Sequence, residues 1–204
     1  MIASLPLTQL SPEQIRDAVG VRYGQVATAP EGAFNFPVGR VFAEAIGYPA
    51  DALDRLPGPA VQSFAGVTYF HPRSAPQLGA TVLDLGCGAG MDALLTAATV
   101  GPTGRVLAVD YAVEMVTLAR ANARAAGLTN LQIEQASVEE LPFADASVDL
   151  AQANGVFNLS PEKERAIHEV WRVLRPGGAL VAAEIVLNHA VADSERTTLQ
   201  DWFR

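Results

Sequence analysis

From residue 81 onward, short apolar runs alternate with segments of helical periodicity. Thr81 to Leu85, Arg105 to Asp110, Leu131 to Ala136, Ser147 to Ala153 and Ala179 to Leu187 read as strands. Met91 to Val100, Val113 to Ala126 and Pro161 to Leu174 read as helices. In the second helix Ala112, Met115, Val116, Ala119 and Ala123 share one face, and Gly127 is the stop. In the third, Ser160 is the N-cap, and Ile167, Val170, Trp171 and Leu174 form the expected buried stripe. Gly101-Pro102-Thr103-Gly104 and Arg175-Pro176-Gly177-Gly178 read as turns. Strict alternation of strand and helix predicts a three-layer α/β architecture, with a parallel central sheet covered on both faces. Such a sheet binds its ligand at the carboxyl ends of the strands, where the strand order reverses. Gly86 to Gly90, Asp110, Ser137 and Asn154 are expected to converge there.

Residues 1–75 have a different texture. Ser11-Pro12-Glu13-Gln14 reads as a helix start, with Ser11 as N-cap, Pro12 at the first helical position and Gln14 placed for a capping box. The helix is expected to run through Ile15, Ala18 and Val19 to about Tyr23, with Gly24 ending it. Pro30, Pro37, Pro49, Pro57, Pro59, Pro72 and Pro76 follow, interrupted by one expected helix from Val38 to Ile46 with Gly47 as its stop. Apolar residues are too sparse here for a separate core, so 1–75 is expected to form a cap or lid and 76–204 the ligand-binding domain. Phe34, Phe36, Phe64, Tyr69 and Phe70 either line a pocket or tack this segment onto the body.

Composition narrows the class of protein. At 204 residues and half apolar, the chain fits one domain with a small extension. Its formal charge of -8 and the lack of any basic cluster argue against a grip on nucleic acid. Met1 to Leu10 contains Pro6 and lacks the positive flank and long apolar core of a signal peptide. Glu184 and Asn188 divide the best candidate for a membrane-spanning run, so no membrane contact and a cytoplasmic location are expected. A single cysteine excludes an internal disulfide and a cysteine-cluster metal site, and no metal ligands are assigned.

The candidate chemistry begins at Asp84-Leu85-Gly86-Cys87-Gly88-Ala89-Gly90. Glycines at alternate positions let the backbone take positive φ and let a ligand lie against the main chain. Exposed N–H groups at the following helix start favour a carboxylate or a phosphate. A dinucleotide fingerprint would place a small residue at position 91, where this chain has Met91. Asp84 would also repel a pyrophosphate, whereas it suits an ammonium group.

The pattern D-x-G-x-G-x-G resembles the first motif of class I S-adenosylmethionine-dependent methyltransferases. The strand ending at Asp110, Glu139-Glu140-Leu141-Pro142-Phe143 with Asp145 and Asp149, and Val173-Leu174-Arg175-Pro176-Gly177-Gly178 resemble that family's successive motifs over residues 78 to 187. Val100 to Val106, Asn158 to Arg165 and Arg22-Tyr23-Gly24 resemble its arsenite methyltransferase branch. The resemblance implies a Rossmann-like methyltransferase fold, S-adenosylmethionine as cofactor, and methyl transfer to a small-molecule acceptor. It implies that Gly86, Cys87, Gly88 and Gly90 cradle the methionine portion, with Asp84 near the amino group. Asp110 would accept hydrogen bonds from the ribose hydroxyls, Tyr111 or Met115 would pack on the adenine face, and Val138 would meet the adenine edge. Asn154 would sit near the methionine portion. At Ser137 the family usually has an acid that receives the adenine amino group; a serine accepts that bond more weakly.

The chain departs from the arsenite branch at the acceptor. Thiolates suit trivalent arsenic, and neither Asn154 to Asn158 nor Ala65 to Thr68 contains a cysteine. The resemblance therefore extends to the cofactor end and not to arsenite as substrate. The family's strand pair after strand five is expected to be absent, because the sequence stops at Arg204. Another copy of the chain, or a helix carrying Trp202 and Phe203, would cover that edge. Tyr23 is the preferred active-site residue, with His71, Tyr69 and Glu184 as other candidates for a general base. His168 reads as a surface residue, and His189 as a solvated loop residue. Three other readings stay open: an arsenite or metalloid methyltransferase-like protein, a nicotinamide-dependent reductase, and a cofactor-binding partner protein that has lost catalysis.

Overall fold

The structure is a computed structural model that describes residues 9–186. The described chain enters through α1 (Pro12–Thr28), followed by four short helices, α2 (Arg40–Ala45), α3 (Ala50–Asp54), α4 (Gly58–Gln62) and α5 (His71–Ser74). The α/β body then runs β1 (Thr81–Leu85), α6 (Met91–Val100), β2 (Arg105–Asp110), α7 (Val113–Ala125), β3 (Leu131–Gln135), β4 (Val148–Asn154), α8 (Lys163–Val173) and β5 (Leu174–Ala183). All strands are parallel, in the order β3-β2-β1-β4-β5. The order reverses between β1 and β4, which opens a crevice beyond their carboxyl ends.

Alternation along the strands builds the three layers. Val82, Val106, Ala108 and Ile133 face Leu94, Ala97, Val116 and Ala119 of α6 and α7. Leu83, Leu85, Leu107, Val109 and Ala151 face Ala166, Val170 and Val173 of α8. The cap shares its apolar groups with the body: Ala43, Tyr48, Leu53, Val61 and Phe64 pack with Met91, and Val26 packs with Ala89, Ala112 and Met115.

Ser11 caps α1 as its sequence predicts, its hydroxyl accepting from the Gln14 N–H (3.2 Å) while its own N–H donates to Gln14 Oε1 (2.9 Å). The helix does not stop at Gly24. A Cβ at Gly24 would lie 2.6 Å from Glu114 Oε2, and one at Gly20 would lie 3.1 Å from the Tyr111 ring, so these glycines let α1 pack closely on α7. Tertiary contact overrides the local stop signal. The prolines that read as breakers also start helices: Pro49 and Pro57 stand at N-caps, and Pro72 lies in the first turn of α5. The helix expected from Val38 to Ile46 is the shorter α2, and Gly47 follows it with φ of 103°.

Two corrections concern α8 and β5. The strand starts directly after the helix, and Arg175 to Gly178 form an excursion inside it: Val148 pairs with Leu174, then Leu150 pairs with Ala179. The buried face of α8 is Ala166, Val170 and Val173, while Ile167 and Trp171 are 44% and 81% exposed. The stripe therefore lies about one position away from the expected one, because Leu174 has left the helix and no longer sets its register. The expectation about a further strand pair falls beyond residue 186, outside the described residues. Among the described residues no helix is long and apolar enough to cross a membrane.

The corrected register has a measurable consequence. Trp171→Gln should change unfolding free energy by no more than about 0.5 kcal/mol, whereas Val170→Ala should cost about 2 kcal/mol in urea titrations. A larger loss from the tryptophan than from the valine would restore the sequence-based stripe.

Candidate functional site

The turn from Gly86 to Gly90 joins β1 to α6 at the crevice. Gly86 and Gly88 adopt φ of 64° and 53°, which strains any residue with a Cβ. A Cβ at Gly86 would strike Val156 at 2.6 Å, whereas one at Gly88 would meet only Met115 Sδ at 3.9 Å and would project into the open cleft. The turn is fixed from both sides. Cys87 N–H donates to the Val109 carbonyl (2.9 Å), and Asn122 Nδ2 donates to the Ala89 carbonyl (2.9 Å). Asp110 Oδ2 accepts from the Gly88 N–H (2.8 Å) and Oδ1 from the Ala112 N–H (2.9 Å), so this carboxylate ties the glycine turn to the end of β2.

Two carboxylates, Asp84 and Asp92, are buried around this turn, and a third, Asp110, is half-buried. Asp84 lies 2% exposed; its Oδ1 accepts from Gln152 Nε2 (3.2 Å), and its Oδ2 is the only buried side-chain polar atom without a partner among the described residues. Burial, and then the neighbouring charge of Asp92, push its pKa well above the ordinary range. Asp92 accepts from the Tyr48 hydroxyl (2.6 Å) and Asn154 Nδ2 (2.9 Å); burial raises it to about 6 although both donors pull it down. Burial also raises Asp110, against the pull of its backbone donors. A cationic group with N–H donors is what the unpartnered oxygen of Asp84 lacks.

Tyr23, Asp84, Gly86, Cys87, Gly88, Asp110, Tyr111, Met115, Ser137, Val138 and Asn154 all line one cleft of about 1010 Å³, counted out to its mouth. Gly90 does not line it; with φ of 91° it caps α6, and its α-carbon faces Ala119 of α7. Tyr23 stacks on Phe36 with centroids 5.4 Å apart, and burial followed by the charges of Asp110 and Glu184 raises its pKa, so it stays a neutral phenol. The Ser137 hydroxyl donates to Glu139, whose carboxylate also accepts from Ser160 Oγ (2.5 Å) and lies 3.7 Å from Arg16. Asn154 holds the cap, its Oδ1 accepting from the Val67 N–H (2.7 Å) and its Nδ2 donating to the Thr68 carbonyl (3.0 Å).

The other base candidates are placed elsewhere. Glu184 accepts from the N–H groups of Val156 and Phe157 (3.0 and 2.8 Å), closing the turn after β4. His71 Nε2 lies 3.0 Å from Thr99 Oγ1, and neither His71 nor Tyr69 lines the cleft. His168 is exposed, and His189 lies outside the described residues. Phe64, one of the aromatics that the sequence offered either for a pocket or for tacking the segment down, lines the cleft, and sequence reasoning missed Arg16, Asp92 and Glu139, which also line it. Asp92 carried a readable signal as an acid in the first turn of a helix, but its partners Tyr48 and Asn154 lie far away along the chain.

With this geometry established, comparison with known proteins gives three kinds of match. Residues 77–204 match the family model described as a methyltransferase domain. An arsenite methyltransferase of Halobacterium salinarum is 34% identical over 191 residues, covering 86% of this chain and 48% of that protein. A demethylmenaquinone methyltransferase of Listeria welshimeri is 32% identical over 108 residues, covering 53% of this chain and 46% of that protein. Among solved structures, an arsenic(III) S-adenosylmethionine methyltransferase from Chlamydomonas reinhardtii superimposes with a TM-score of 0.58 at 30% identity, covering 78% of this chain and 52% of that one. The chain spans about half the length of the curated relatives it matches.

The buried acid at Asp92 predicts a pH dependence. Its carboxyl ionises near pH 6 in the folded chain against an ordinary 3.8, so the folded state holds that proton more tightly than the unfolded state. Its contribution to stability is full below the ordinary value and is lost as pH rises through 6. The loss is on the order of 2–3 kcal/mol. Denaturant titrations of the ligand-free protein between pH 4 and 7 should show Asp92→Asn falling less with pH than the parent. Parallel profiles would contradict the assignment.

Proposed function

This chain belongs to the methyltransferase-domain family, and on that premise we propose that it transfers the methyl group of S-adenosylmethionine to a small-molecule acceptor. The observation that carries this reading is the unpartnered, buried Asp84 Oδ2 beside a glycine turn whose open side faces the cleft. A dinucleotide would bring phosphates to that acid, whereas S-adenosylmethionine brings an ammonium. The residues present fit the cofactor. Asp84 would hold its amino group, and the backbone at Gly86 and Gly88 its methionine portion. Each Asp110 oxygen already accepts one N–H and keeps a second lone pair for a ribose hydroxyl. Met115 and Tyr111 would flank the adenine, and Ser137 and Val138 would meet its edge.

When bound, the cofactor supplies an electrophilic methyl group on a sulfonium. The chain's own contribution is alignment and exclusion of water by α1 and the cap. Tyr23, kept protonated, serves as a hydrogen-bond donor and a wall, not as a base. The relatives include proteins named for arsenite and for demethylmenaquinone. Cys87 is the only cysteine of the given sequence, and burial followed by the charges of Asp110 and Asp84 raises its thiol pKa well above the ordinary range, so Cys87 is not a ready thiolate for arsenic.

Asp110→Ala should weaken S-adenosylhomocysteine binding, read by calorimetry, at least about 30-fold; unchanged affinity would overturn the assignment. Transfer of labelled methyl from S-adenosylmethionine to a panel of thiol, phenol, amine and metalloid acceptors tests the activity. Tight NAD binding without S-adenosylmethionine binding would favour a reductase, and cofactor binding without any transfer would favour a partner protein.

A further inference from the structure

Resting on the cofactor reading above, we propose that Asp92 is a second ligand of the cofactor's ammonium, and that Tyr48 and Asn154 carry its position to the cap segment 64–68 at the acceptor side of the cleft. Asp92 lines the cleft and is 7% exposed. An acid in the first turn of a helix is ordinarily solvated and acts on the helix dipole. This one is buried beside Asp84, and each of its oxygens takes one protein donor, the Tyr48 hydroxyl on Oδ1 and Asn154 Nδ2 on Oδ2. Each oxygen keeps a lone pair. An ammonium has three N–H donors and one positive charge, which matches two adjacent carboxylates better than one.

The connection to the cap is continuous. The Tyr48 hydroxyl, donating to Asp92, lies 3.1 Å from Asn154 Nδ2. Asn154 in turn grips the peptide at Val67 and Thr68 through both of its amide atoms. Gly66, next along that segment, approaches so closely that a Cβ would lie 2.6 Å from Asn154 Nδ2. Phe64 and Gly66 line the cleft. Whatever fixes the Asp92 carboxylate therefore fixes this wall, and the ammonium is the group of the ligand that reaches it.

Two ligands separate this role from a structural one: S-adenosylhomocysteine, and methylthioadenosine, which keeps the nucleoside and thioether but has no amino-acid end. Calorimetry on the full chain should show Asp92→Asn weakening S-adenosylhomocysteine by about 10- to 100-fold, with methylthioadenosine within about threefold of the parent. Tyr48→Phe should keep S-adenosylhomocysteine within about threefold, yet lose the slowing of amide exchange at Val67 and Thr68 that this ligand produces in the parent. Equal losses for both ligands, or none, would overturn Asp92 as an ammonium ligand, and retained cap protection in Tyr48→Phe would overturn the coupling. The tyrosine arm stands on its own should Asp92→Asn not fold, which circular dichroism reads. A parent protein that binds methylthioadenosine and S-adenosylhomocysteine equally weakly overturns the cofactor reading itself.

Discussion

A carboxylate removed from water must find donors or a counter-charge, and this chain buries Asp84 and Asp92 and half-buries Asp110 around one cleft. Asp110 takes two backbone N–H groups, and in doing so it locks the glycine turn to the end of β2. Asp92 takes a tyrosine from the cap and an amide from β4, which anchors the cap to the body. Asp84 takes only Gln152, which is itself held by Thr96 of α6, and one oxygen remains without a donor. The arrangement places a carboxyl oxygen without a donor near the point where the strand order reverses, the position at which parallel sheets bind ligands.

Much of this fold is legible in the sequence because the body is built from strong local patterns. Val82 to Leu85 and Val106 to Val109 are buried on both faces, so they read as apolar runs, interrupted in the first only by Asp84. Ser11 and Gln14 close a capping box using only neighbours three residues apart. The failures share a cause. Gly24 lies buried inside α1, against Glu114, a residue distant along the chain, and the buried face of α8 is decided by which side the sheet lies on. Local propensity carries no information about either. The prolines of the cap were ambiguous in principle, since the same ring that breaks a helix also presets its first turn.

The candidate site divides along the same line. The turn, Asp84 and Asp110 are contiguous with strand ends, so their convergence follows from topology once the alternation is recognised. Asp92 and Glu139 were not legible as site residues, because their partners arrive from elsewhere: Tyr48 from the cap, and Ser160 from the loop after β4. Ser137 reads in the sequence as a weaker acceptor than the acid usual in the family. In the fold its hydroxyl proton is directed to Glu139 and its oxygen already accepts the Glu139 N–H (3.3 Å), which leaves one lone pair as a further acceptor. The departure at position 137 is thus partly offset by the buried carboxylate next to it.

The two ends of the cleft are under different constraints. The cofactor end is made from strand termini and a turn whose glycines cannot take a side chain without strain or collision, so its chemistry is tied to the stability of the sheet. The facing wall is made from α1 and the segment before β1, where Tyr23, Phe64 and Gly66 sit on segments that the sheet does not dictate. Tyr23, which lines the cleft, is held protonated, and Glu184, which does not line it but whose charge reaches Tyr23, is occupied in closing the turn after β4. Neither is positioned to remove a proton from an acceptor. On the reading proposed above, alignment and exclusion of water would then carry the acceleration.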